Sequence, residues 1–156
     1  MYILHEKLIV NTTLEKAWSF ISRPANLNEI TPDDMDFNIM SDLPDEMYNG
    51  LIIRYKIKIP FLGTQEWVSE IKHISPNRSF VDEQRKGPYK FWFHYHEVRE
   101  VEGGVELTDT IHYDIPFWIF GKIAHVLFVR RMLQNIFNHR KMKFGELLNK
   151  KTELEG

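Results

Sequence analysis

The sequence predicts an α+β fold: a curved antiparallel sheet of about six to seven strands wrapped around one long C-terminal helix. Three observations carry this. Segments between positions 51 and 115 alternate polar and apolar residues with period two, and each is closed by a turn signal. A proline-free stretch from Ile119 to Asn149 shows apolar residues at three- and four-residue steps. Between the first strand and the sheet, the capping spacing Thr12/Glu15 and the stop at Pro24 point to two short helices.

Tyr2 to Val10 is rich in β-branched and aromatic residues and reads as a strand. Thr12 and Glu15 then precede Ala17, Trp18, Phe20 and Ile21, with Trp18 and Ile21 on one helical face. Ala25 to Ile30 forms a further helical turn before Thr31-Pro32. In Leu51 to Pro60, alternation puts Ile53, Tyr55, Ile57 and Ile59 on one face and Arg54, Lys56 and Lys58 on the other. Phe61-Leu62-Gly63 turns into a strand from Thr64 to Ile74, Ser75-Pro76-Asn77 into Ser79 to Arg85, and Gly87-Pro88 into Tyr89 to Val101.

Gly103-Gly104 signals a two-residue hairpin. With those glycines at the turn, Val98 faces Asp109, His96 faces Ile111, His94 faces Tyr113 and Trp92 faces Ile115. All eight then share one inward surface. Phe91, Phe93 and Tyr95 fall on the opposite, outward surface. At 1.5 Å per residue the final helix spans about 45 Å. Its stripe reads Val126, Val129, Leu133, Ile136, Arg140, Phe144 and Leu147.

Composition narrows the function classes. The chain has 156 residues, enough for one core, and its 43% hydrophobic content is that of a globular protein. The expected organisation is one domain over 1–150 with a tail at 151–156. Absence of cysteine excludes disulfides, thiolate metal sites and cysteine nucleophiles. The opening ten residues carry His5, Glu6 and Lys7 and lack the apolar core of a signal peptide. No run is long enough to span a membrane, so a cytoplasmic protein is expected. The net charge of −2 is unevenly spread, with no Lys or Arg from Pro24 to Ile53 and a basic stretch from Arg130 to Lys151. On a slightly acidic chain, this reads as a solvated or internally paired helix and not as a nucleic-acid surface.

The ordered motifs resemble a known superfamily over essentially the whole chain. They are Thr13-Leu14-Glu15-Lys16-Ala17-Trp18-Ser19-Phe20, Asn26-Leu27, Thr31-Pro32, Phe80-Val81-Asp82-Glu83-Gln84, Gly87-Pro88-Tyr89, Trp92-Phe93-His94-Tyr95-His96, and Asp109, Tyr113 and Pro116 with Gly121. Together they look like the SRPBCC superfamily of START-like proteins, which have the helix-grip fold and include lipid-transfer domains, polyketide aromatase/cyclases and the birch-pollen allergen group. The similarity is greatest to a bacterial branch of ligand-binding, cyclase/dehydrase-like proteins. It implies a cavity under the long helix for a hydrophobic or amphipathic molecule such as a lipid, isoprenoid or polyketide-like compound. Since this fold carries receptors, carriers and enzymes, it leaves the activity open.

The residues themselves offer three readings. Carrier function, as the resemblance implies it, places Trp67, Ser69, Phe80, Asp82, Trp92, His94, His96, Ile111, Tyr113, Leu133, Ile136 and Arg140 around the ligand, with Trp67, Trp92 and Tyr113 equally readable as plain core. An enzyme, a cyclase, dehydratase or hydrolase, uses His94 or His96 with Asp109, because a carboxylate orients a histidine as a general acid or base. An interaction module or homodimer uses the outer patch Phe91, Phe93 and Tyr95. His94 and His96 also have chelating spacing, with Asp109 or Asp82 as a third ligand. Neither cysteine nor an HExxH motif supports that, and no metal or cofactor is expected. Arg140 interrupts the apolar stripe, either to anchor an acidic ligand or to pair with Asp82 or Asp109.

Overall fold

A computed structural model describes residues 1–60, 62–116 and 128–149. Seven strands form one antiparallel sheet: β1 (Tyr2–Val10), β2 (Asn38–Ile39), β3 (Leu51–Ile59), β4 (Gly63–Ser75), β5 (Ser79–Lys86), β6 (Phe91–Val101) and β7 (Gly104–Asp114). Their spatial order is β1-β7-β6-β5-β4-β3-β2, so the chain closes its meander by pairing the first strand with the last. Helix α1 (Leu14–Ile21) and 3-10 turns at Pro24–Leu27 and Asp33–Met35 follow β1, and helix α2 (Arg130–Leu148) ends the fold. This is the α+β helix-grip architecture.

Alternation translates directly into burial. In β3 every odd residue from Leu51 to Ile59 is buried and every even one exposed, as the period-two pattern requires. The inward residues of β3 to β7 meet Leu133 and Phe137 of α2 in one core. A second apolar cluster joins Val10, Ala17, Val98, Val105 and Leu107 to Phe144 and Leu148 near the other end of α2. Helix α2 thus clamps the sheet at two levels, and the polar site lies between them.

Several expectations are corrected. The cap of α1 is Thr13, whose side chain accepts the Lys16 N–H at 3.3 Å, while Thr12 is buried. The two-residue strand β2 gave no sequence signal, since a single pair of ladder residues has no period. On α2 the buried line runs Leu133, Phe137, Phe144 and Leu148, whereas Leu147 is exposed. Over a long helix a 3.6-residue period drifts, and Leu148 takes over the inward position from its neighbour. The portion of the expected helix from Ile119 to 127, including Val126 and the motif residue Gly121, lies outside the described residues, as does the tail 151–156.

Gly87 shows how the Gln84 to Tyr89 motif is built. The Gln84 side chain folds back over the turn, donating from Nε2 to the Tyr89 carbonyl at 2.7 Å and accepting the Tyr89 N–H at 3.2 Å. A Cβ on residue 87 would collide with the Gln84 amide oxygen, so a larger residue there has to push the Gln84 side chain out of this bracket.

Candidate functional site

The site grows from the ladders of β5, β6 and β7. His96 faces Asp109, His94 faces Ile111 and Trp92 faces Tyr113. The expected register was displaced by two residues, because the turn is made by Glu102 and Gly103, with Val101 paired to Gly104. Gly103 and Gly104 take φ of 90° and 142°, which suit glycine. A two-residue slip preserves the face, so the inward surface holds the residues expected there. On the other side of β6, Phe80 faces His96 and Asp82 faces His94. Phe91 is exposed and Phe93 and Tyr95 are half-buried, on the outer face.

Asp109 ties the two histidines together. Its Oδ1 lies 2.8 Å from His94 Nε2 and 2.8 Å from His96 Nδ1. The rings of His94 and His96 are 3.7 Å apart, and His96 stacks on Phe80 at 4.2 Å with planes 14° apart. Burial, followed by the neighbouring His96, lowers the His94 pKa to about 3, although Asp109 pulls it upward. Burial alone would raise the Asp109 carboxyl, but hydrogen bonds from His94 and His96 hold it well below the usual carboxylate range. The resting cluster is therefore a charged Asp109 with a neutral His94 that donates from Nε2. One nitrogen of each ring is left beyond the Asp109 bonds.

Asp82 and Arg140 supply the rest of the polar wall. Burial raises the Asp82 pKa, partly offset by a hydrogen bond from Ser69 and the nearby His96 and Arg140. Ser69 is itself 3.4 Å from the Tyr55 hydroxyl. Among the described residues, three buried polar atoms here have no partner: Asp82 Oδ1, Arg140 Nε and Trp67 Nε1. Among the described residues, the ion pairs of α2 are Lys141 with Glu6 and Lys143 with Glu146, so Arg140 pairs with neither Asp82 nor Asp109. Its guanidinium lies over the Phe137 ring, 5.2 Å from the centroid.

These groups border two adjoining cavities. One, of about 90 Å³, is walled by Phe80, Ser69, Asp82, His94, His96 and Asp109 with residues of α1 and the first 3-10 turn. The other, of about 70 Å³, is walled by Trp67, Trp92, Tyr89, Leu133, Ile136 and Phe137. Leu27, Tyr55, Asp82, His94 and Arg140 belong to both and form the partition. An outer groove of about 470 Å³ shares Met35, Met132 and Ile136 with the second cavity. The outer groove at the first turns of α2 therefore adjoins the second cavity, which His94 also borders.

Ten of the twelve expected ligand contacts border a cavity. Ile111 is wholly enclosed in the core, and Tyr113 packs on Tyr2, Tyr89 and Trp92. Neither is among the residues lining these spaces. The lining residues that were passed over include Tyr55 and Phe137. Tyr55 stood on the inward phase of β3, and Phe137 stood four residues after Leu133, so both signals were present.

Comparison with known proteins places the fold. No family model matches the chain, and no curated protein does. Solved structures do match. A protein from Chromobacterium violaceum superposes with a TM-score of 0.73 at 8% identity, over 97% of this chain and 100% of that one. A START superfamily protein from Mycobacterium smegmatis gives 0.69 at 10% identity, over 94% and 99%. A nucleoside-diphosphate sugar epimerase from Corynebacterium glutamicum gives 0.66 at 18% identity, over 92% of this chain but 28% of that one. The chain thus has the START-like helix-grip fold. Among the described residues no helix is long and apolar enough to cross a membrane.

Proposed function

We propose that the protein binds an amphipathic small molecule between the sheet and α2, apolar body against Trp67, Trp92, Ile136 and Phe137, polar end at the Asp82–Arg140 partition. One observation carries this reading: three buried polar atoms without partners border cavities whose other walls are largely apolar. An unsatisfied buried donor or acceptor costs about 1–3 kcal/mol, a cost that a ligand can relieve. Neither cavity alone reaches the roughly 300 Å³ of a drug-sized site. Joined across the partition they still fall short of it, so a lipid-like ligand has also to extend into the outer groove that shares Met35, Met132 and Ile136 with the second cavity. Lipids, isoprenoids and polyketide-like compounds fit this description.

The Asp109-linked histidines favour a second reading, a cyclase- or dehydratase-type enzyme. A histidine that donates one N–H to a carboxylate has its other nitrogen free to move a proton. The two readings separate on one variant. Titration with a fluorescent apolar probe, displaced by dodecanoic acid and by dodecanol, measures binding in wild type and His96→Ala. A carrier shows weakened or retuned binding in the variant and loses no reaction. An enzyme keeps binding and loses turnover of its substrate by about 100-fold or more. No displaceable probe binding in the wild type contradicts both.

A further inference from the structure

The side chains of Asp82, His94 and His96 each offer one donor atom, and these atoms lie within 4.8 Å of one another. We propose that they form a binding site for one divalent first-row transition-metal ion, with Asp109 as the outer carboxylate that orients both imidazoles. The proposal shares Asp82 with the small-molecule reading but does not depend on it, since the ion can be titrated without any organic ligand.

Strand geometry makes the set. His94 and His96 are alternate residues of β6 and point to one face, and Asp82 is the direct ladder partner of His94 on β5. Two imidazole nitrogens and one carboxylate oxygen are the donors of sites that hold zinc or ferrous iron and leave positions open for other ligands. The absence of cysteine leaves this nitrogen–oxygen set as the available chemistry.

The outer carboxylate is the stronger argument. Asp109 Oδ1 meets a nitrogen of each ring at 2.8 Å. In metal sites a ligating histidine commonly gives its second N–H to a carboxylate, which fixes the tautomer and points the other nitrogen at the ion. Here a single carboxylate serves two rings, and Phe80 stacked on His96 fixes one ring plane.

Asp82 is prepared in a different way. Its Oδ1 is buried without a partner. Ligand bonds of about 2.0–2.2 Å require donors closer than the present outer limit. Turning the Asp82 carboxyl supplies much of that approach, since Ser69 holds it from one side only. Asp82 and Asp109 together balance the charge of a divalent ion. Arg140 also borders this cavity, and its positive charge favours an anionic donor beside the ion.

The full chain, stripped with a chelator, is titrated with Co²⁺ and Zn²⁺ by visible absorption and calorimetry. One ion per chain is expected, with Co²⁺ bands of a nitrogen–oxygen site. His96→Ala and Asp82→Asn should weaken binding by more than about 100-fold, and Asp109→Asn by about 10–100-fold at unchanged stoichiometry. His112→Ala, on the opposite face of β7, should change nothing. Zn²⁺ should also shift the ring resonances of His94 and His96 in wild type, which locates the ion even where a variant fails to fold. The absence of stoichiometric binding overturns the proposal. So does binding that leaves those two resonances in place, or that survives His96→Ala.

Discussion

His96 and Asp109 stand directly opposite each other in the β6–β7 ladder, with Nδ1 and Oδ1 2.8 Å apart. The same oxygen reaches His94 one ladder step away, so a single carboxylate fixes two imidazoles on the inner face of the sheet. Removing it strands two ring N–H groups in a wall that includes Ile111 and Phe137. Asp109→Ala should therefore destabilise the fold by about 2–4 kcal/mol, measured by urea unfolding, as breaking a buried charged network does. Asp109→Asn, which keeps one acceptor, should cost less. A loss below about 0.5 kcal/mol for the alanine variant would mean that water replaces these bonds freely.

Acid should weaken the protein in a defined window. Folding lowers the His94 pKa to about 3 from its ordinary value of 6.5, chiefly through burial. As pH falls below about 6.5 the unfolded chain takes up a proton that the folded chain refuses, so stability declines from there towards pH 3. Asp109, held low by its two histidine bonds, adds to the decline below about pH 4, where an unfolded aspartate protonates. Unfolding free energy measured from pH 7 to pH 4 should fall, and His94→Gln should flatten the upper part of the curve. An unchanged slope in that variant would assign the decline to other groups.

Arg140 should trade stability against binding. It is a cation between apolar cavities with its Nε unpaired, eased mainly by the Phe137 ring. Arg140→Met should leave thermal stability unchanged or raise it, by up to about 1 kcal/mol, because a half-buried cation with a buried, unpartnered Nε is replaced by an apolar chain. The same variant should lose preference for dodecanoic acid over dodecanol in probe displacement. A large fall in melting temperature would show that Arg140 is structural instead.

Gly87→Ala should cost about 1–3 kcal/mol, because its Cβ collides with the Gln84 amide and breaks the bracket around Tyr89. Gln84→Ala should cost less, and the double variant should cost less than the two combined. Strict additivity of the two would disprove the coupling.

The fold was legible because its signals are local. Alternation in β3 and the punctuation at Ser75-Pro76-Asn77 and Gly87-Pro88 need no tertiary knowledge. The inward placement of His94, His96 and Asp109 survived a misplaced hairpin turn because the error was even, and a one-residue error would have reversed it. What stayed hidden depends on packing. That one Asp109 oxygen serves both rings, that Arg140 joins neither aspartate and that Tyr55 partitions the cavity all follow from side-chain positions set by several strands together.

The central claim, an amphipathic ligand held across the Asp82–Arg140 partition, is tested most directly by native mass spectrometry of the chain purified from its own cells. The account predicts a stoichiometric small-molecule adduct that contains an apolar skeleton and a polar end, and that is reduced or exchanged in Arg140→Met. A bare mass for the wild-type chain under conditions gentle enough to retain added dodecanoic acid would contradict it.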